Sequence, residues 1–177
     1  APLPCLGLPA EGAVTTGTGG MFMPGAKVRL ELSHASFNGY AVAAEIARTG
    51  AALNIGPRNF DHRFNGMNRF IGLVQAFEAA GNTNLSVHTD ASVVPQEEFF
   101  FQATLAERLG CSTWEALESI NSDPARQILA ADRIGRLIPG LDADIVIKAG
   151  QPLDPRTPVQ LVMVDGKVAY DIAHGQR

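Results

Sequence analysis

The strongest constraint on the fold is an alternation, from Lys27 onward, of short apolar stretches of strand length with longer stretches of helical period. Chains written this way build parallel sheets, because each helix carries the chain back to start the next strand beside the last. Val28-Arg29-Leu30-Glu31-Leu32 alternates as a strand and ends at Ser33-His34. A helix is predicted over about Tyr40 to Thr49, with Ala41, Ala44 and Ile46 apolar and Gly50 placed to cap its C-terminus. The strand Ala52 to Ile55 follows and is stopped by Gly56-Pro57; a helix from about Asn68 to Ala80 closes at Gly81. The third strand, Leu85-Ser86-Val87, runs into His88-Thr89-Asp90.

Three helices are expected next. One spans about Gln96 to Leu109, and Ser112 to Glu115 has capping-box spacing for another that continues through Ile120. Asp123-Pro124 should open the last, with Asp123 as the cap and Pro124 at the first helical position. Beyond about Ile134 the pattern changes to β. Asp144 to Ile147 and Val159 to Val164 read as strands, and Asp165-Gly166 as a two-residue hairpin turn into Lys167 to Tyr170. The domain organisation expected is therefore a loop or connector over 1–26, a β/α part over 27–130 and a small β part over 131–177.

Residues 1–26 carry Pro2, Pro4, Pro9 and Pro24 and the run Thr15 to Gly20, too much punctuation for a long helix or interior strand. No Gly-Lys-Ser/Thr follows those glycines, so they read as a loop and not a phosphate cradle. Only about three βα units fit before residue 131, whereas a closed (β/α)8 barrel needs eight and typically ~250 residues. The chain cannot close a barrel alone. It also begins at Ala1 without Met, for which processing, a chosen boundary or further upstream sequence is the expectation.

Composition narrows the partners. A net charge of −4, with Lys and Arg scattered, leaves no basic stripe for a phosphate backbone, so nucleic acid is not expected as a partner. No apolar run approaches the ~20 residues that cross a bilayer, and the first residues lack a basic leader, so a soluble protein is expected. Cys5 and Cys111, far apart, fit neither a disulfide framework nor a CxxC metal site; a cytoplasmic location is the default.

The tail Ile134-Gly135-Arg136-Leu137-Ile138-Pro139-Gly140-Leu141-Asp142-Ala143-Asp144-Ile145-Val146-Ile147 resembles the segment by which amidohydrolases re-enter their small β domain. Gln151-Pro152-Leu153-Asp154 and the later Val162-Met163-Val164-Asp165-Gly166-Lys167-Val168 are similar to the ending of that superfamily. Ala116 to Arg126 is similar to its penultimate helix pair, and the order and spacing of these matches resemble the imidazolonepropionase-like branch most. The resemblance implies an α/β fold, the C-terminal part of a (β/α)8 TIM-type barrel followed by a small β domain segment. It also implies a metal-dependent hydrolase of C–N bonds, in amides, cyclic amides or N-acyl compounds. A divalent metal, zinc first, would be its cofactor. Its partners would be a small-molecule substrate, the N-terminal half of the same enzyme or a companion chain, and further copies in a homo-oligomer.

His34 and Asp90 each end a predicted parallel strand, and the C-terminal ends of barrel strands are where active sites lie. By the resemblance the three strands are the sixth, seventh and eighth of the barrel, His34 matches a metal ligand and Asp90 a metal-associated general base. A carboxylate there can take a proton from metal-bound water and return it to a leaving amine, and a neutral imidazole suits zinc. Each has a plainer reading, Asp90 as a turn aspartate and His34 as a loop histidine. His88 reads as a ligand, a substrate contact or a supporting residue, or as a structural histidine, the reading preferred because the superfamily pattern has no required histidine there. Arg58, His62 and Arg63 follow the middle strand, where they either bind substrate, the arginines gripping a carboxylate, or are solvated loop groups. His174 is expected to be exposed. The paired first-strand histidines, bridging group and strand-five ligand of the superfamily do not occur in this sequence, so the centre is incomplete without other residues. A non-catalytic, partner-binding subunit is the competing reading. A flavodoxin-like domain would need a ligand loop after its first strand, and none is evident.

Overall fold

The structure is a computed structural model that describes residues 14–15, 29–35, 37–62 and 69–176. Its first sheet begins with β1 (Val14–Thr15) and β2 (Arg29–Ser33). Helix α1 (Ala43–Thr49), entered through a 3-10 turn at Gly39–Val42, leads to β3 (Ala52–Ile55). The short strands β4 (Phe60–Asp61) and β5 (Ile71–Gly72) precede α2 (Leu73–Ala79) and then β6 (Leu85–Val87). The order in space is β1-β2-β3-β6 and every pairing is parallel, with Leu32 opposite Leu53 and Leu53 opposite Leu85. Every residue of β6 is buried, as are Ala52, Leu53 and Ile55 of β3, the continuous burial expected of parallel strands covered on both faces.

Helices α3 (Phe99–Arg108), α4 (Thr113–Glu118) and α5 (Ser122–Gln127) follow. The core joins Leu53, Ile55, Leu85 and Val87 of the sheet to Leu73, Val74 and Phe77 of α2 and Ala103 and Ala106 of α3. Small residues on α3 let that helix approach the sheet closely. The chain then forms an antiparallel sheet in the order β10-β9-β8-β7 from β7 (Ile145–Lys148), β8 (Val159–Val164), β9 (Lys167–Asp171) and β10 (Gly175–Gln176). Asp165 and Gly166 both take positive φ, 50° and 71°, the geometry a two-residue hairpin requires. The β tail is tied to the first sheet's layer: Leu153, 1% exposed, inserts into the core, and the Thr104 hydroxyl donates to its carbonyl at 2.9 Å. The Lys148 ammonium lies 3.9 Å from the centre of the Phe100 ring and donates to the Pro152 carbonyl.

Several boundaries differ from those expected. Val14–Thr15, placed in a loop from sequence, forms an edge strand, while the rest of 1–26 is outside the described residues. The second helix starts at Leu73, not near Asn68, because Ile71–Gly72 pairs antiparallel with Phe60–Asp61. Gly72 passes so close to α3 that a Cβ would stand 2.7 Å from that of Leu109. The Ser112–Glu115 capping box forms in both directions, and those bonds hold Glu115 below the usual carboxylate range. Asp123 is not a cap. Helix α5 begins at Ser122, and the buried Asp123 carboxylate instead accepts from the Leu85 amide and pairs with Arg126, so it serves the start of β6.

Candidate active site

Strands β2, β3 and β6 end side by side, and the candidate residues stand on that C-terminal edge. His34 follows β2 directly and Asp90 lies three residues past β6, and both backbones turn left-handed, with φ of 55° and 51°. Positive φ is uncommon outside glycine, though His and Asp are among the residues that tolerate it best. The turn ends each strand and frees the side chain from the pleat. With β3 between them the two strands lie about 10 Å apart. The side chains close that gap over the end of β3, bringing His34 Nε2 within 3.1 Å of Asp90 Oδ2, and both stay half exposed.

What allows the crossing is the residue at the top of β3. A Cβ on Gly56 would fall 2.2 Å from the His88 carbonyl oxygen, so only glycine lets the two strand ends lie together there. The His88 amide donates to the Ile55 carbonyl at 3.0 Å and carries the pairing one step beyond β6. Its ring stands edge to face with His34, centroids 4.8 Å apart and planes at 87°. Nε2 of His88 is buried and has no hydrogen-bond partner among the described residues. Burial pushes its pKa down, and the charge of His34 beside it acts the same way, against the opposing pull of Asp90.

Arg58 and His62 lie in the segment after β3. The Arg58 guanidinium rests 4.4 Å above the centre of the Phe60 ring, and His62 stacks on Phe70 at 4.7 Å with planes 23° apart. Phe60 and Phe70 touch at 5.2 Å, joining the two stacks. Arg63 lies outside the described residues. Neither phenylalanine was singled out from sequence, and nothing in their spacing marks them, since the β4–β5 ladder that brings them together is only two residues long. His174 is exposed, as expected, and pairs with Asp171 beside the terminal hairpin.

Among the described residues no group of three His, Cys, Asp or Glu side chains is arranged to hold a metal ion. His34 and Asp90 nonetheless fit as part of a donor set. One nitrogen and one carboxylate oxygen are donors zinc accepts, and their 3.1 Å separation is close to the ~3.3 Å between neighbouring donors around a tetrahedral ion. A complete first shell needs at least one more ligand. No described helix is long and apolar enough to cross a membrane.

No protein-family model and no curated protein sequence matches the chain. Solved structures do. An amidohydrolase from Thermotoga maritima MSB8 superposes with a TM-score of 0.70 at 24% identity, over 83% of this chain and 38% of its own. Atrazine chlorohydrolase TrzN from Arthrobacter aurescens TC1, complexed with zinc, gives 0.59 at 19% identity, over 84% and 37%. An adenosine deaminase from Xanthomonas campestris with bound zinc gives 0.55 at 18% identity, over 82% and 37%. The chain is thus a mixed α/β structure that shares the fold of the matched part of these three proteins, and it spans less than two-fifths of their length.

Proposed function

We propose that the chain supplies the last three βα units and the following small β domain of a metal-dependent hydrolase of C–N bonds, of the imidazolonepropionase-like branch. A preceding polypeptide or companion chain would supply the remaining barrel strands and ligands. One observation carries this reading: His34 and Asp90 meet at 3.1 Å over the C-terminal end of β3, where a parallel barrel places its chemistry.

In that role His34 and Asp90 would together hold the metal, as two of its protein ligands. A bound divalent metal, zinc first, would polarise the scissile carbonyl and lower the pKa of its water. Asp90, half exposed at the mouth, takes the proton that the attacking water loses. It then gives that proton to the nitrogen that leaves when the C–N bond breaks, so one water is consumed and the amine departs neutral. His88 packs edge to face against His34 and helps to orient its ring.

The test is zinc content and steady-state hydrolysis of cyclic amides and N-acyl amino acids, in the complete enzyme, for Asp90→Asn and His34→Ala. Asp90→Asn should lower kcat by about 10² to 10⁴-fold, and added zinc should not restore it. His34→Ala should lose zinc affinity and recover partly with added metal. Both should fold normally, since an ion pair this exposed is worth no more than about 1 kcal/mol. Near-normal turnover by Asp90→Asn removes the proposed general base. A second reading, a partner-binding subunit without catalysis, is favoured by the lack of a three-residue metal group among the described residues. Stoichiometric zinc, lost on His34→Ala, would exclude it.

A further inference from the structure

Arg58 is a charged side chain prepared for a partner that the described residues do not supply. Its guanidinium is stacked on Phe60, its Nε is buried without a hydrogen-bond partner, and no carboxylate pairs with it among the described residues. Arg58 is half-buried, so its remaining donors can still be reached, and a planar fork held against a ring is suited to grip an anion in two-point fashion.

The backbone around Arg58 is fixed from both sides. Gln102 of α3 donates from its side-chain amide to the Pro57 carbonyl at 3.1 Å, and its own carbonyl accepts from the Asn59 side chain at 2.6 Å. Asn59 is 0% exposed, and its carbonyl accepts from the Leu73 amide at the start of α2. The loop thus holds Arg58 in place before any ligand binds, which lowers the ordering cost of binding. Arg58 also lies two residues from Gly56, about 7 Å of extended chain from the strand end that abuts His88. Beside it the Phe60 and Phe70 rings form an apolar platform, Phe70 being 58% exposed.

Resting on the hydrolase reading above, we infer that Arg58 is the anchor for a substrate carboxylate, with the substrate's apolar body lying on the Phe60–Phe70 rings. Among C–N substrates this selects those bearing an acid on a flat or apolar body, such as N-acyl amino acids, over neutral amides.

Binding of benzoate and of benzamide, its neutral isostere, to the metal-free full chain tests this apart from catalysis. Benzoate should bind at least about tenfold tighter, because a bidentate charge-assisted contact exists only for the carboxylate. Arg58→Gln should bring the ratio to about one while leaving benzamide unchanged, and Arg48→Gln, exposed on α1, should leave the ratio intact. If Arg58→Gln does not fold, Arg58→Lys serves: it keeps the charge but loses the planar fork, and should lower benzoate affinity alone. Equal binding of the two probes, an unchanged ratio in the Arg58 variants, or an equal loss in Arg48→Gln would overturn the assignment. Failure of the hydrolase reading would show instead as normal turnover of Asp90→Asn with the benzoate preference retained.

Discussion

The strands that carry the candidate site are bolted together by a buried amide, and removing it should cost a predictable amount. Gln127 of α5 and Ser86 of β6 are each 2% exposed. The Ser86 hydroxyl donates to Gln127 Oε1 at 2.5 Å, and Gln127 Nε2 donates to the Leu53 carbonyl of β3 at 3.0 Å. Gln127→Leu keeps the volume and removes both bonds, together with a longer 3.4 Å contact from Nε2 to the Asn84 carbonyl. The two buried partners left without their bonds cost about 1–3 kcal/mol each, and about 1 kcal/mol returns from the apolar side chain, for a net loss of about 1–5 kcal/mol. The Ser86 hydroxyl has only a 3.5 Å approach to the Leu53 carbonyl to fall back on. Urea unfolding followed by circular dichroism reads the difference as a drop of about 0.5–2.5 M in midpoint at unchanged slope. The double variant Gln127→Leu/Ser86→Ala removes donor and acceptor together and should recover part of the loss, a coupling of about 0.5–3 kcal/mol. A single variant within about 0.5 kcal/mol of the parent, or a double variant whose losses simply add, would refute the reasoning.

Gly56→Ala should push the His88 carbonyl away from β3 and strain the Ile55–His88 hydrogen bond, costing about 1–3 kcal/mol and several degrees of melting temperature. An unchanged melting temperature would mean the strand ends separate freely. Cys111 is buried, and burial together with the neighbouring Glu78 carboxylate pushes its thiol up, well above the usual range. Iodoacetamide at pH 8 should therefore label it more than about a hundredfold slower in the native chain than in urea, as peptide mapping would show; comparable rates would contradict this. The sign for stability follows. The unfolded thiol ionises near 8.5 while the folded one keeps its proton, so the folded state binds more protons above that pH, and stability falls as pH rises beyond it.

The local rules of the sequence were enough for the three parallel strands, because apolar alternation and the stops at Gly50, Gly56 and Gly81 depend only on neighbours a few residues away. The same holds for the Asp165-Gly166 hairpin and for the Ser112–Glu115 cap, whose partners are close in the chain. Placing His34 and Asp90 at strand ends was also legible, since a strand end is a local property.

Their contact was not. It depends on β3 lying between β2 and β6, on Gly56 admitting the His88 carbonyl, and on both backbones turning left-handed. Asp123 has the same lesson: the residue types promised a helix cap, but packing placed the carboxylate under the Leu85 amide, where a buried N–H would otherwise go unpaired. Arg58 could be read either as a solvated charge or as a carboxylate ligand, and only the Phe60 ring and the Gln102 clamp set it apart. Periodicity reports which face of an element is apolar. Which groups from distant elements then share a few cubic ångströms is decided by the register of the sheet and the close-packing of the core, and only the tertiary structure holds that information.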